Sequence, residues 1–125
     1  MTALARTDVP GLAVRLPSGE WFPPPIIPGT FLINLGNIMR RWSNDRFLST
    51  PHGVLIDSGA DRYSIAYFHS PNPASTIECL PSCVGPGNPV RYPPAVYRDL
   101  VLDFYRANYF HQQDHRSAAT AQAAQ

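Results

Sequence analysis

Three residues of this 125-residue chain have the side chains and spacing to hold a small anion beside a metal: His52, Arg62 and Ser64. His52 follows a proline in Ser49-Thr-Pro-His-Gly-Val-Leu-Ile56, and Arg62 opens the run Arg62-Tyr-Ser-Ile-Ala-Tyr-Phe68. On a strand, an arginine and a serine two positions on point to the same side. Together they can grip a carboxylate, the guanidinium by two parallel N–H bonds and the hydroxyl by one O–H. A neutral imidazole can ligate a transition metal, but one imidazole does not make a site. Spacing alone leaves plainer alternatives open: an exposed arginine with its stem along a sheet, and a histidine at the rim of a core. His111 and His115 stand at helical spacing around Asp114 and form a second metal-like pair, weighed against a solvated helix end.

The elements that must position these groups read as short strands joined by stiff turns. The chain has 14 prolines, which fall between apolar runs. Leu12–Leu16 and Glu20–Phe22 flank Pro17-Ser18-Gly19 as a β-hairpin. Phe31–Leu35 is the best buried-strand candidate of the first half. A short helix over Asn37–Trp42 follows, with Asn37 as its N-cap and Ser43-Asn44-Asp45 as the closing turn. Phe47–Ile56 reads as a strand interrupted by Pro51, and the turn at Asp57–Asp61 reads as a hairpin that lays it beside a strand over Arg62–Phe68. Ser75–Leu80 is a further short strand and Pro81–Pro94 an irregular connection. Ala95 to about Phe110 is a helix whose stripe of Tyr97, Leu100, Val101, Phe104 and Tyr105 suits packing against a sheet. The Ala- and Gln-rich segment 111–125 reads as a polar, disordered tail.

Composition narrows the function classes. Charged residues make up 15% and the net charge is +1, so no basic field points to nucleic acid or to an anionic membrane. No apolar stretch reaches the length of a membrane span, and Met1–Asp8 lacks the pattern of a signal peptide. Cys79 and Cys83 are too few for a disulfide scaffold and read as reduced thiols. The expectation is a cytoplasmic protein with one domain at most.

Four segments in order carry a resemblance: Pro28-Gly-Thr-Phe-Leu-Ile-Asn-Leu-Gly36, Arg41-Trp-Ser-Asn-Asp45, Ser49-Thr-Pro-His52 and Arg62-Tyr-Ser-Ile-Ala-Tyr-Phe68. With Val9–Arg15 and Gly19–Trp21 ahead of them, they resemble the C-terminal half of the isopenicillin N synthase-like Fe(II)/2-oxoglutarate dioxygenases, over about residues 1–110. The resemblance implies a mainly β fold with a C-terminal helix, part of a double-stranded β-helix or jelly roll. His52 matches the family's distal iron-binding histidine, and Arg62 and Ser64 match the pair that grips the far carboxylate of 2-oxoglutarate. The implied cofactor is Fe(II), with 2-oxoglutarate as co-substrate, and the implied partners are dioxygen and a small-molecule substrate. That chemistry covers hydroxylation, desaturation or ring closure. Members of the family that keep the Arg-x-Ser pair do not all consume 2-oxoglutarate.

Departures from the pattern matter as much. The family's His-x-Asp pair, which supplies the other two iron ligands, falls just before the stretch that Met1–Leu4 matches and is not in this sequence. Gly53 stands where a basic residue usually follows the histidine, and Asn37 stands where an aspartate is usual. The expectation is therefore a fragment that is inactive by itself, with a non-catalytic binding or interaction module as the alternative.

Overall fold

The computed structural model describes residues 1–55 and 59–110. The tail and the pair His111 and His115 lie outside the described residues. The chain forms two compact units, one made of Met1–Ser70 with Cys79–Tyr92, the other of Pro71–Glu78 with the chain from Pro93 onward.

The first unit holds two three-stranded antiparallel sheets. In the first sheet, β1 (Thr2–Arg6) lies between β4 (Leu32–Asn34) and β6 (Ser64–Phe68). In the second, β2 (Leu12–Arg15) lies between β3 (Trp21–Phe22) and β5 (His52–Val54). Ladder partners share a face. Register therefore sorts the first sheet into one face with Thr2, Leu4, Arg6, Leu32, Asn34, Ser64, Ala66 and Phe68, and another with Ala3, Ala5, Ile33, Ile65 and Tyr67.

The hairpin over Leu12–Phe22 forms as expected: Val14 pairs with Phe22, and Gly19 supplies the positive φ of +90° that closes the turn. The expected hairpin between β5 and β6 does not form. β5 pairs with β2 and β6 pairs with β1, so the two strands belong to different sheets. β5 is shorter than the expected Phe47–Ile56 strand. Pro51 has no N–H to donate, and its carbonyl takes the ladder bond from the Arg15 N–H at 2.8 Å instead.

The run Phe31–Leu35, expected to be buried, is open on its outer side: Ile33 is 54% exposed. Its strand is three residues long at a sheet edge. Leu12 and Ala13, at the centre of the second sheet, are buried.

Helix α1 (Asn37–Trp42) lies where the sequence places it, but Gly36 is its N-cap and Asn37 its first helical residue. The Arg40 N–H reaches the Gly36 carbonyl at 3.1 Å, and no side chain caps the end.

In the second unit, β7 (Thr76–Ile77) pairs with β8 (Ala95–Val96), and Ile77 is fully buried. The expected strand from Ser75 thus contracts to two residues. The expected long helix begins two residues late, because Ala95 and Val96 are taken by β7. Helix α2 runs over Tyr97–Tyr105 and ends in a π-helical turn, Arg106–Phe110. Part of the stripe is open, since Phe104 and Tyr105 are about half exposed, and their rings cluster with Tyr109.

Candidate functional site

His52 opens β5, opposite Val14, at the edge of the second sheet. Its ring reaches across to the first sheet, where Nδ1 lies 2.9 Å from the side-chain amide nitrogen of Asn34. The Thr50 carbonyl oxygen is 3.1 Å from the same Nδ1. The contact identifies which face of the first sheet turns toward His52: the one carrying Asn34. By register Ser64 lies on that face too.

Arg62 stands two residues ahead of Ser64, where β6 begins, and is half buried. Its stem lies against Gly11, at the entrance to β2. A Cβ on Gly11 would fall 3.3 Å from Arg62 Cδ and 3.0 Å from the Leu55 carbonyl oxygen. Gly11 also has φ of +141°, in the region that only glycine adopts freely. A bare backbone is therefore what lets the guanidinium stem cross to the second sheet. The three residues singled out by sequence thus stand on facing sheets, with Arg62 and Ser64 on one side and His52 on the other, rather than on neighbouring strands.

Arg62 Nε is shut off from solvent and has no hydrogen-bond partner among the described residues. A buried charged N–H left unmatched costs free energy on the order of 1–3 kcal/mol or more. Such a group fits an incoming anion, and a carboxylate beside the Ser64 hydroxyl fits in type and geometry. For a metal the donor set is thinner. Nδ1–H of His52 can donate to the Thr50 carbonyl and leave Nε2 as the ligating atom. Among the described residues, however, no group of three or more His, Cys, Asp or Glu side chains converges. Two surface grooves, of about 260 and 280 Å³, run beside Arg6–Leu32 and Arg15–Pro51, and neither is lined by His52, Arg62 or Ser64.

A second polar cluster, in the segment read from sequence only as a closing turn, is structural. Asn44 and Asp45 both take left-handed backbone, with φ of +51° and +68°. Asn44 is fully buried. Its amide donates to the carbonyls of Pro89 (2.9 Å) and Asn88 (3.2 Å), and its oxygen accepts from the Arg91 backbone N–H (3.0 Å) and the Cys79 thiol (3.4 Å). Asp45 accepts from the Tyr92 hydroxyl at 2.6 Å, Arg40 Nε at 2.7 Å and Arg91 at 3.1 Å. The Tyr92 hydrogen bond first, then that of Arg40, lowers the Asp45 carboxyl to about 2. The same carboxylate holds the Tyr92 phenol above its ordinary value. Arg41 stacks over the Tyr92 ring at 5.0 Å. The cluster clasps the Cys79–Tyr92 connection onto α1. Two contacts of the candidate residues escaped the sequence reading, Asn34 beside His52 and Gly11 beside Arg62. A carboxamide inside an apolar run and a glycine just ahead of a strand were the available signals.

Comparison with known proteins identifies the family of the chain. The family model of the 2OG-Fe(II) oxygenase superfamily matches residues 1–71. A 2-oxoglutarate-Fe(II) type oxidoreductase of Emericella nidulans is 40% identical over 110 residues, covering 87% of this chain and 32% of that protein. Feruloyl CoA ortho-hydroxylase 1 of Arabidopsis thaliana is 36% identical over 107 residues, 85% of this chain and 30% of its own length. Among solved structures, a rice dioxygenase for auxin oxidation aligns with a TM-score of 0.76 at 30% identity, covering 85% of this chain and 36% of that one. A Neurospora crassa protein in complex with alpha-KG and 5-formyluracil gives 0.77 at 31%, covering 86% and 36%. The chain thus spans about a third of the length of the curated relatives it matches. Its fold, mainly β with a C-terminal helix, is part of the double-stranded β-helix of these oxygenases. The family's cofactors are Fe(II) and 2-oxoglutarate, and this chain belongs to the 2OG-Fe(II) oxygenase superfamily.

Proposed function

We propose that residues 1–110 carry one half of an Fe(II)/2-oxoglutarate site: Arg62 and Ser64 grip the far carboxylate of 2-oxoglutarate, and His52 gives one imidazole to the metal. The observation that carries the reading is the buried, unpartnered Nε of Arg62, two residues from a serine on the face turned toward His52. Bound Fe(II) with 2-oxoglutarate would supply oxidative chemistry on a small-molecule substrate: hydroxylation, desaturation or ring closure. What this chain's own residues contribute is positioning. Arg62 and Ser64 fix one end of the co-substrate by charge-assisted hydrogen bonds, and the Gly11 backbone keeps the guanidinium stem in place. His52 would offer Nε2 in the tautomer whose Nδ1–H donates to the Thr50 carbonyl. The remaining metal donors are not among the described residues, and we read the chain alone as inactive. The reading includes a cytoplasmic, reducing setting, consistent with Cys79 and Cys83 both being free thiols.

Titration of the purified chain with 2-oxoglutarate, followed by calorimetry, tests the grip. Arg62→Ala should weaken binding by about 2–3 kcal/mol, through loss of a charge-assisted pair. Equal affinity of the two proteins would mean that another residue holds the carboxylate.

A second reading, a non-catalytic binding or interaction module, is favoured by the absence of a three-donor cluster among the described residues. Anaerobic addition of Fe(II) and 2-oxoglutarate tests the module reading. The visible charge-transfer band of the metal–2-oxoglutarate chelate should not appear if that reading is right, and its appearance would sink it.

A further inference from the structure

We infer that Asn34 is the positioning residue of His52, bridging the two sheets and deciding which nitrogen of the imidazole carries the proton. The inference rests on the reading of His52 as a metal donor for its significance, though not for its physics.

Asn34 lies inside the apolar run Phe31-Leu-Ile-Asn-Leu35, on β4. The carboxamide is half-buried there and its contact with the exposed His52 ring lies at the surface. Its partner is on the other sheet: the amide nitrogen stands 2.9 Å from His52 Nδ1 and 3.5 Å from Nε2. Nδ1 is also 3.1 Å from the Thr50 carbonyl oxygen. These two contacts at Nδ1 are alternatives. If Nδ1 has a lone pair, Asn34 N–H donates to it, and the ring proton sits on Nε2. If Nδ1 carries the proton, it donates to the Thr50 carbonyl, and the Asn34 amide must turn so that its oxygen faces the ring. Only the second arrangement leaves the Nε2 lone pair free for a metal. Turning one carboxamide about its last torsion thus switches His52 between a form that can ligate and one that cannot. A partner on the other nitrogen sets ring orientation and tautomer in this way at histidine ligands generally.

The test uses the chain in nitrogen-15-labelled form without metal, at about pH 9, well above the ordinary imidazole value. Long-range spectra correlate ring protons with both ring nitrogens, and His52→Asn identifies the His52 signals by their loss. Asn34→Asp keeps an acceptor and removes the donor. It should move His52 to the Nδ1–H form, read as Nδ1 shifting to the proton-bearing side and Nε2 to the lone-pair side. Asn34→Leu keeps the shape without hydrogen bonding and should displace the Nδ1 signal from its wild-type position, while the His69 signals stay put. His52 nitrogens that superimpose on wild type in both variants would overturn the inference. Should the leucine variant not fold, an unchanged tautomer in Asn34→Asp overturns it alone. Neither iron nor 2-oxoglutarate enters the measurement, so failure of the half-site reading and failure of this one are distinguishable.

Discussion

Single residues decide the site through what they lack as much as through what they carry. Gly11 has no side chain, and Arg62 occupies the space that one would fill. Gly11→Ala should therefore cost about 1–3 kcal/mol of stability, since a positive φ is forced on an L-residue and its Cβ meets the Leu55 carbonyl. Urea unfolding measures it, and a change under about 0.5 kcal/mol, the size of an ordinary surface substitution, would show that the backbone there relaxes. Arg62 itself was legible in the sequence, because a guanidinium and a hydroxyl at strand spacing is a pattern that one dimension preserves. Its need for Gly11 was not legible, because that contact joins positions far apart in the chain and involves a residue with no chemistry of its own. Asn34 was hidden for a related reason. An amide in an apolar run reads as a flaw in the run until the histidine opposite it is placed.

At the scale of elements, the turn after α1 is a clasp. The Asn44 side chain bonds five partners on the Cys79–Tyr92 connection, among them three backbone carbonyls and one backbone N–H. Asn44→Ala leaves these groups buried and unmatched and should destabilise the first unit by about 2–3 kcal/mol, measurable by denaturant unfolding. Asn44→Asp should recover only part, because its carboxylate can accept from Arg91 but cannot donate to the carbonyls. Beside it, Asp45 ties pH to stability. Its carboxyl is lowered from 3.8 to about 2 in the folded chain, so its contribution is complete above about 4 and is lost as the pH falls toward 2. The stability difference between wild type and Asp45→Asn should be constant at neutral pH and vanish through that acid window; a difference that persists below pH 2 would mean that the carboxylate is not its source. The sequence showed these elements well where local chemistry sets them, as with the Leu12–Phe22 hairpin and α1. It failed at the partners of β5 and β6, because a turn-rich link in sequence suits a hairpin and a connection between two sheets alike. It overextended α2, because Ala95 and Val96 are claimed by a distant strand rather than by their own helical preference.

For the molecule as a whole, the proposed site draws on two sheets, and among the described residues the face of the first sheet that carries Ile33, Ile65 and Tyr67 is open. Ile65 and Tyr67 on β6 are 76% and 66% exposed, at the edge of the first sheet. An open apolar edge strand invites association. Ile65→Lys should raise the concentration at which the chain stays monomeric by light scattering, and unchanged association would place the sticky surface elsewhere. That β5 and β6 belong to different sheets has a mechanical meaning as well. On the proposed reading His52 belongs to one sheet and the Arg62 and Ser64 pair to the other, so a dicarboxylate gripped by the pair at one end and tied to His52 through the metal at the other would act as a rivet between the sheets. Occupancy then becomes cohesion: at a hundred times its dissociation constant, such a ligand adds about 2.7 kcal/mol to resistance against heat. A monocarboxylate of the same length that binds more weakly should, at equal concentration, raise the melting temperature less.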